Sequence, residues 1–241
     1  MFTVQGLIST PAMKKQILLL GILACFSTQA YNNEQSVSVT NLLSGIDVLT
    51  SKMDISKEAV AFAIKGYETL KEKGQLVNSR FLTIADFSKP SSARRLFIID
   101  MERMELVLQT LVAHGRNSGK LFAEKFSNKN QSNQSSLGFY ITGDIYNGKH
   151  GMSLRLNGIE SGINDKASKR AIVLHGADYV SEWTIKKQGY IGRSLGCPAV
   201  PQTEVNEIIQ TIKGASLLYI YAPNKAYTKQ SKLISGLTSL S

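Results

Sequence analysis

From Phe81 to Tyr221 the apolar residues come in short runs: FLTIADF at 81–87, RLFIID at 95–100, LVLQTLVAH at 106–114, GFYIT at 138–142, MSLRL at 152–156, AIVLH at 171–175 and SLLYIY at 216–221. Runs this short, rich in β-branched and aromatic residues, are strands rather than helices. The chain between them holds turn formers: Lys89-Pro90-Ser91-Ser92, Asn147-Gly148 and Asn157-Gly158. In the third run Leu106, Leu108, Thr110, Val112 and His114 fall on one face of a strand. The short connections of the first three runs predict an antiparallel meander.

Two segments break this period. Ser56 to Lys73 places Val60, Ala63, Ile64, Tyr67 and Leu70 at helical spacing, with Lys57, Glu58, Lys65, Glu68 and Lys71 on the other face. Ser56 can cap its start and Gly74 stops it. The second helix, Thr203 to Lys213, is read from Val205, Ile208, Ile209 and Ile212 and ends at Gly214. Residues 115–136, rich in Asn, Ser, Lys and Gly, read as a long surface loop of the kind that serves as a binding element or lid. Residues 224–241 read as a C-terminal tail. The sequence shows neither an internal repeat nor a second domain.

The N-terminus has a different character. Met13-Lys14-Lys15 precedes the apolar run QILLLGILACF, and Ser27-Thr28-Gln29-Ala30 supplies small residues for cleavage after Ala30. This is the pattern of a secretory signal peptide over residues 1–30; residues 1–12 add nothing to it, so Met13 is a candidate start. An uncleaved anchor and a lipoprotein box at Ile22 to Cys25 are the alternatives. Residues 31–53 form a polar lead-in. Of the two cysteines, Cys25 and Cys197, cleavage would remove the first. An exported chain with one unpaired thiol in an oxidising compartment points to reactivity at Cys197.

The net charge of +10 drops to about +8 with the loss of Lys14 and Lys15, which suits an anionic envelope polymer or membrane surface. No zinc-finger, helix-turn-helix or RNA-recognition pattern is present, so nucleic acid is not an expected partner.

Cys197 lies in Ile191-Gly192-Arg193-Ser194-Leu195-Gly196-Cys197-Pro198-Ala199-Val200. A thiol becomes a strong nucleophile when a base removes its proton, and His175, ending an apolar run, is the candidate base. Gly192 and Gly196 permit a tight turn, so the N–H groups of Leu195, Gly196 and Cys197 can converge on one oxygen as an oxyanion hole requires. A zinc site built from His150, His175 and Cys197 lacks the close ligand spacing of such sites, and no metal or cofactor is expected.

His175-Gly176 followed by Ser194-Leu195-Gly196-Cys197 resembles the histidine and Ser-His-Gly-Cys signature of the YkuD-type L,D-transpeptidases, a family of cell-wall enzymes. Ala113-His114-Gly115, Ser135-Ser136-Leu137-Gly138-Phe139 and Gly148-Lys149-His150-Gly151 extend the likeness over residues 54–223, toward a divergent subgroup called the murein L,D-transpeptidase catalytic domain family. The resemblance implies a mainly β fold, a β-sandwich or barrel with an N-terminal helix and a helix after the cysteine. It further implies a Cys197 nucleophile, a His175 base oriented by the Gly176 carbonyl, and a thioester formed on a peptidoglycan tetrapeptide stem and resolved as a 3-3 cross-link. The signature's second histidine is Leu195 here, and Pro198, Ala199 and Val200 replace the residues that often follow the cysteine. Arg193, Ser194, Ser136, His150 and Tyr140 are the candidate substrate contacts. Tyr179 is a further aromatic that could line the path, and His114 reads as structural. Two other readings stay open: an L,D-carboxypeptidase with the same site, and a non-catalytic cationic wall-binding protein.

Overall fold

The computed structural model describes residue 47 and residues 49–237. The expected leader, residues 1–30, and residues 31–46 of the lead-in lie outside the described residues, as do 238–241. Helix α1 runs Lys57–Glu72, starting where the Ser56 hydroxyl accepts from the Ala59 N–H (3.4 Å) and stopping before Gly74 at φ +65°. Its apolar stripe of Val60, Ala63, Ile64, Tyr67 and Leu70 is buried. Gly66 belongs to the same face, because a Cβ there would lie 2.2 Å from the Phe139 ring.

The strands are β1 (Phe81–Asp86), β2 (Leu96–Asp100), β3 (Glu105–Thr110), β4 (Gly138–Gly148), β5 (Gly151–Gly158), β6 (Val173–Ala177), β7 (Ala199–Pro201) and β8 (Leu217–Tyr221). They form one mixed sheet in the order β3-β2-β1-β8-β4-β5-β6-β7, so the protein is mainly β, with the meander β1-β2-β3 at one end. Strand β8 enters parallel to β1 and antiparallel to β4, covered on both faces, which is why SLLYIY is continuously apolar. The ring of Phe139 on β4 stacks on Tyr219 of β8 with centroids 4.2 Å apart, beneath α1.

The two ends of the sheet meet. Ala113, just past β3, bridges Ala199 of β7 with its N–H 2.8 Å from the Ala199 carbonyl, and Gly115 bridges Ser194. This seam gives the sheet a barrel-like closure at that end.

Several elements differ from the sequence expectation. Strand β6 is shifted toward the C-terminus, because Ala171 adopts φ +53° and belongs to the preceding turn; His175 is therefore mid-strand rather than at a strand end. Helix α2 (Glu182–Gln188) and β7 have too few residues to show a period, and neither was expected. Strand β3 ends at Thr110 and leaves Leu106 and Val107 exposed at the sheet edge, so its faces do not alternate as expected. The 115–136 segment is not a plain surface loop: Ser118, Ala123, Ser135 and Ser136 are buried in it.

Helix α3 (Val205–Ile212) packs Val205, Ile208, Ile209 and Ile212 into the core, as its spacing predicts. Helix α4 (Lys225–Gln230) corrects the expectation of a tail. Tyr227 and Ile234 are buried, and the Tyr227 and Ser231 hydroxyls donate to the buried carboxylate of Glu160. Among the described residues no helix is long and apolar enough to cross a membrane.

Candidate active site around Cys197 and His175

Strands β6 and β7 run parallel, with His175 opposite Ala199 and the His175 N–H directed at the Pro198 carbonyl (3.4 Å). Cys197 stands two residues before Ala199, so the strand pairing sets nucleophile and base candidates on adjacent segments of the sheet. The Cys197 Sγ lies 3.7 Å from the Ala171 carbonyl, toward which the left-handed turn at Ala171 directs the chain. The His175 Nδ1 is 2.8 Å from the Gly176 carbonyl. A carbonyl only accepts, so Nδ1 carries the proton and Nε2 keeps a lone pair.

The surroundings of the thiol and of the imidazole both favour the neutral form. Burial pushes the Cys197 thiol up; the Val173 N–H, the Arg170 guanidinium, the Lys149 ammonium and its own N–H oppose this. Burial also pushes His175 down, the Gly176 carbonyl opposing and the nearby His150 and Lys149 reinforcing the shift. Neutral forms of both groups suit proton transfer during attack rather than a standing ion pair.

His150 comes from the β4–β5 hairpin. That hairpin carries a register shift between Thr142 and Ile145, and its turn is Gly148-Lys149-His150-Gly151, with Gly151 at φ +75°. Since Ser153 of β5 pairs with His175, the turn lies over β6, and the His150 ring stacks on His175 with centroids 4.3 Å apart at 19°. His150 thus covers one face of the imidazole while remaining exposed itself.

The turn before Cys197 is closed by its own side chains. The Ser194 hydroxyl donates to the Cys197 carbonyl (2.6 Å) and accepts from the Gly196 N–H (3.0 Å), while Ser135 donates to the Gly196 carbonyl (3.1 Å). This corrects the expectation for Gly196, whose N–H is already engaged and is not free for an oxyanion. It also corrects Ser194, which is buried as a turn builder. Leu195, two residues before Cys197, is 57% exposed.

The other expected contacts are structural in their bonding. Arg193 donates to the carbonyls of Arg116 and Gly119, both at 3.0 Å, and holds the 115–119 segment. The Ser136 hydroxyl donates to the Ser127 carbonyl (2.8 Å) and accepts from Arg170 (2.5 Å). Tyr140 is fully buried on β4 with its hydroxyl donating to the Ser136 carbonyl (3.0 Å), so it lies in the core and does not line a cleft. Tyr179 packs against Gly192, and burial and Cys197 push its hydroxyl up to about 12.

His114 is fully buried, with Nδ1 2.7 Å from Arg95 Nη2, and burial followed by the Arg95 charge lowers it to about 4. Its carbonyl accepts from the Ser194 N–H (3.0 Å), so it braces the turn from behind.

Sequence reasoning missed two cations near the thiol, Lys149 and Arg170. Lys149 was on view in the Gly148–Gly151 turn, but Arg170 sits in a polar connection with nothing to mark it. Among the described residues no group of three or more His, Cys, Asp or Glu side chains is set to hold a metal ion.

The chain is similar over 59% of its length to an L,D-transpeptidase from Mycobacterium smegmatis, at 12% identity and a TM-score of 0.37, and spans 59% of that chain. It is similar to the helical cell shape determining protein of Campylobacter jejuni at 12% identity and a TM-score of 0.38, over 60% of this chain and 48% of that one. A third likeness, to an L,D-transpeptidase from Stackebrandtia nassauensis, has 11% identity and a TM-score of 0.37 over 74% of this chain and 89% of that one. No curated protein matches the chain. The sequence profile of the L,D-transpeptidase catalytic domain matches residues 51–221, from before α1 to the end of β8, and the chain belongs to that family.

Proposed function

We propose that the protein is a cysteine-dependent acyl transferase of the cell envelope, an L,D-transpeptidase that forms 3-3 cross-links between peptidoglycan stems. The observation that carries the reading is the Cys197 thiol beside the β6 strand that holds His175, whose Nδ1 is tied to the Gly176 carbonyl. In this reading Nε2 takes the thiol proton as Sγ bonds to the carbonyl carbon of a tetrapeptide stem. The C–N bond to the terminal D-alanine breaks, and the imidazolium returns its proton to the departing amine. The amine of a neighbouring stem then displaces sulfur from the thioester. With the Gly196 N–H engaged by Ser194, the N–H groups of Leu195 and Cys197 are the donors assigned to the oxyanion. The positive surface charge favours an anionic wall polymer.

Incubation of the full chain with a disaccharide tetrapeptide tests this. A cross-linked dimer with release of D-alanine is expected, and Cys197→Ala abolishes it while leaving wall binding intact. Tripeptide without dimer would make water the acceptor and the protein an L,D-carboxypeptidase. Unchanged behaviour of Cys197→Ala would replace catalysis with wall binding alone.

A further inference from the structure

Arg170 has an unusual set of partners. Its guanidinium donates to the Ser127 carbonyl (2.8 Å), the Ser136 hydroxyl (2.5 Å), the Ser132 hydroxyl (3.3 Å) and the Gln134 carbonyl (2.6 Å). All four are neutral. Among the described residues the ion pairs engage other cations, and no carboxylate meets this one. Burial pushes the Arg170 guanidinium down, opposed by Tyr140 and Cys197, and a half-buried charge held only by neutral acceptors is costly unless an anion forms nearby.

The geometry says where that anion forms. The Arg170 Nη2 is 3.2 Å from the position of a Cβ on Gly196, so the guanidinium lies against the residue that precedes Cys197. The next residue, Ala171, directs its carbonyl at the Cys197 Sγ from 3.7 Å. A carbonyl oxygen there favours the thiol, as an acceptor for S–H, and opposes the thiolate. The positive charge beside it has the opposite preference.

We propose that Arg170 is a positioning residue for the nucleophile: its anchored, carboxylate-free charge stands beside Cys197 and is neutralised when the sulfur gives its proton to His175. The proposal rests on Cys197 being the nucleophile of the reading above. With four of its donors committed to the 127–136 segment, the guanidinium acts as a fixed charge and not as a fork for a substrate carboxylate. The other titratable or charged groups around the thiol are Lys149 and His150 from the β4–β5 turn, His175 from β6 and Tyr179 after it. Of the two cations that favour the thiolate, Lys149 is exposed and screened by solvent, whereas Arg170 is held.

The test is the pH dependence of Cys197 alkylation by iodoacetamide in the full chain, followed by mass spectrometry of the Cys197 peptide from about pH 5 to pH 10. Arg170→Gln is expected to move the midpoint of the profile upward and to slow alkylation at neutral pH roughly tenfold. Arg170→Lys, which keeps the charge and loses the anchoring, is expected to recover most of that loss. A midpoint unmoved in both variants overturns the proposal and leaves Arg170 as a brace for the 127–136 segment. If Arg170→Gln does not fold, Ser136→Ala, which loosens the guanidinium, is expected to raise the midpoint by a smaller amount, and no rise overturns the proposal. Alkylation needs no stem peptide, so a chain that forms no cross-link still reports on Arg170. Cross-linking with an unmoved midpoint would sink this inference alone.

Discussion

Gly196 occupies φ +129°, a conformation that residues with a Cβ rarely adopt, and a Cβ there would stand 2.9 Å from the Gln134 carbonyl. Gly196→Ala is therefore expected to cost about 1–3 kcal/mol in stability. It should also shift the turn enough to slow acylation of Cys197 roughly a hundredfold, since small misplacements of a nucleophile are expensive. Thermal unfolding and the rate of covalent adduct formation with an acylating β-lactam measure the two effects, and a wild-type adduct rate would show that the turn tolerates the methyl group. The nucleophile and base candidates were legible in the sequence because their chemistry is carried by residue type. What Ser194 and Arg170 do was not. A hydroxyl that accepts from Gly196 takes its role from the shape of its own turn, and a guanidinium that braces residues 127–136 takes its role from a segment distant in sequence.

Helix α1 covers the sheet where Phe139 stacks on Tyr219, and Gly66 provides the space for the ring. Alanine favours an isolated helix over glycine by about 1 kcal/mol. Here the added Cβ meets a fully buried ring that has no room to retreat, so Gly66→Ala is expected to destabilise by about 1–3 kcal/mol. Urea unfolding settles the sign; a more stable variant would mean that the ring is free to move. The same contrast explains which elements could be read in advance. Helices α1 and α3 and the longer strands bury a periodic face. Strand β7 has three residues including a proline, and its place depends wholly on its neighbours β6 and Ala113. The shift of β6 has a similar origin, because the positive φ of Ala171 leaves no mark on residue type.

At the scale of the whole molecule, Glu160 fastens the C-terminal segment. Its buried carboxylate accepts from the Phe139 N–H (2.8 Å), the Tyr227 hydroxyl (3.2 Å) and Ser231. Ending the chain after Pro223 removes two of these donors and the burial of Tyr227 and Ile234, and is expected to lower stability by at least about 3 kcal/mol. Denaturation of the shortened and full chains makes the comparison, and equal midpoints would return residues 224–241 to the status of an appendage.

The seam between Ala113–Gly115 and Ser194–Ala199 joins stretches of chain roughly eighty residues apart, so it forms only when segments distant in sequence come together. Cys197 lies inside that seam. Until β6 and β7 pair, the sulfur stands apart from the strand that carries His175. On the reading proposed above, the working pair is therefore assembled only by the finished sheet, and a half-folded copy is expected to be catalytically silent.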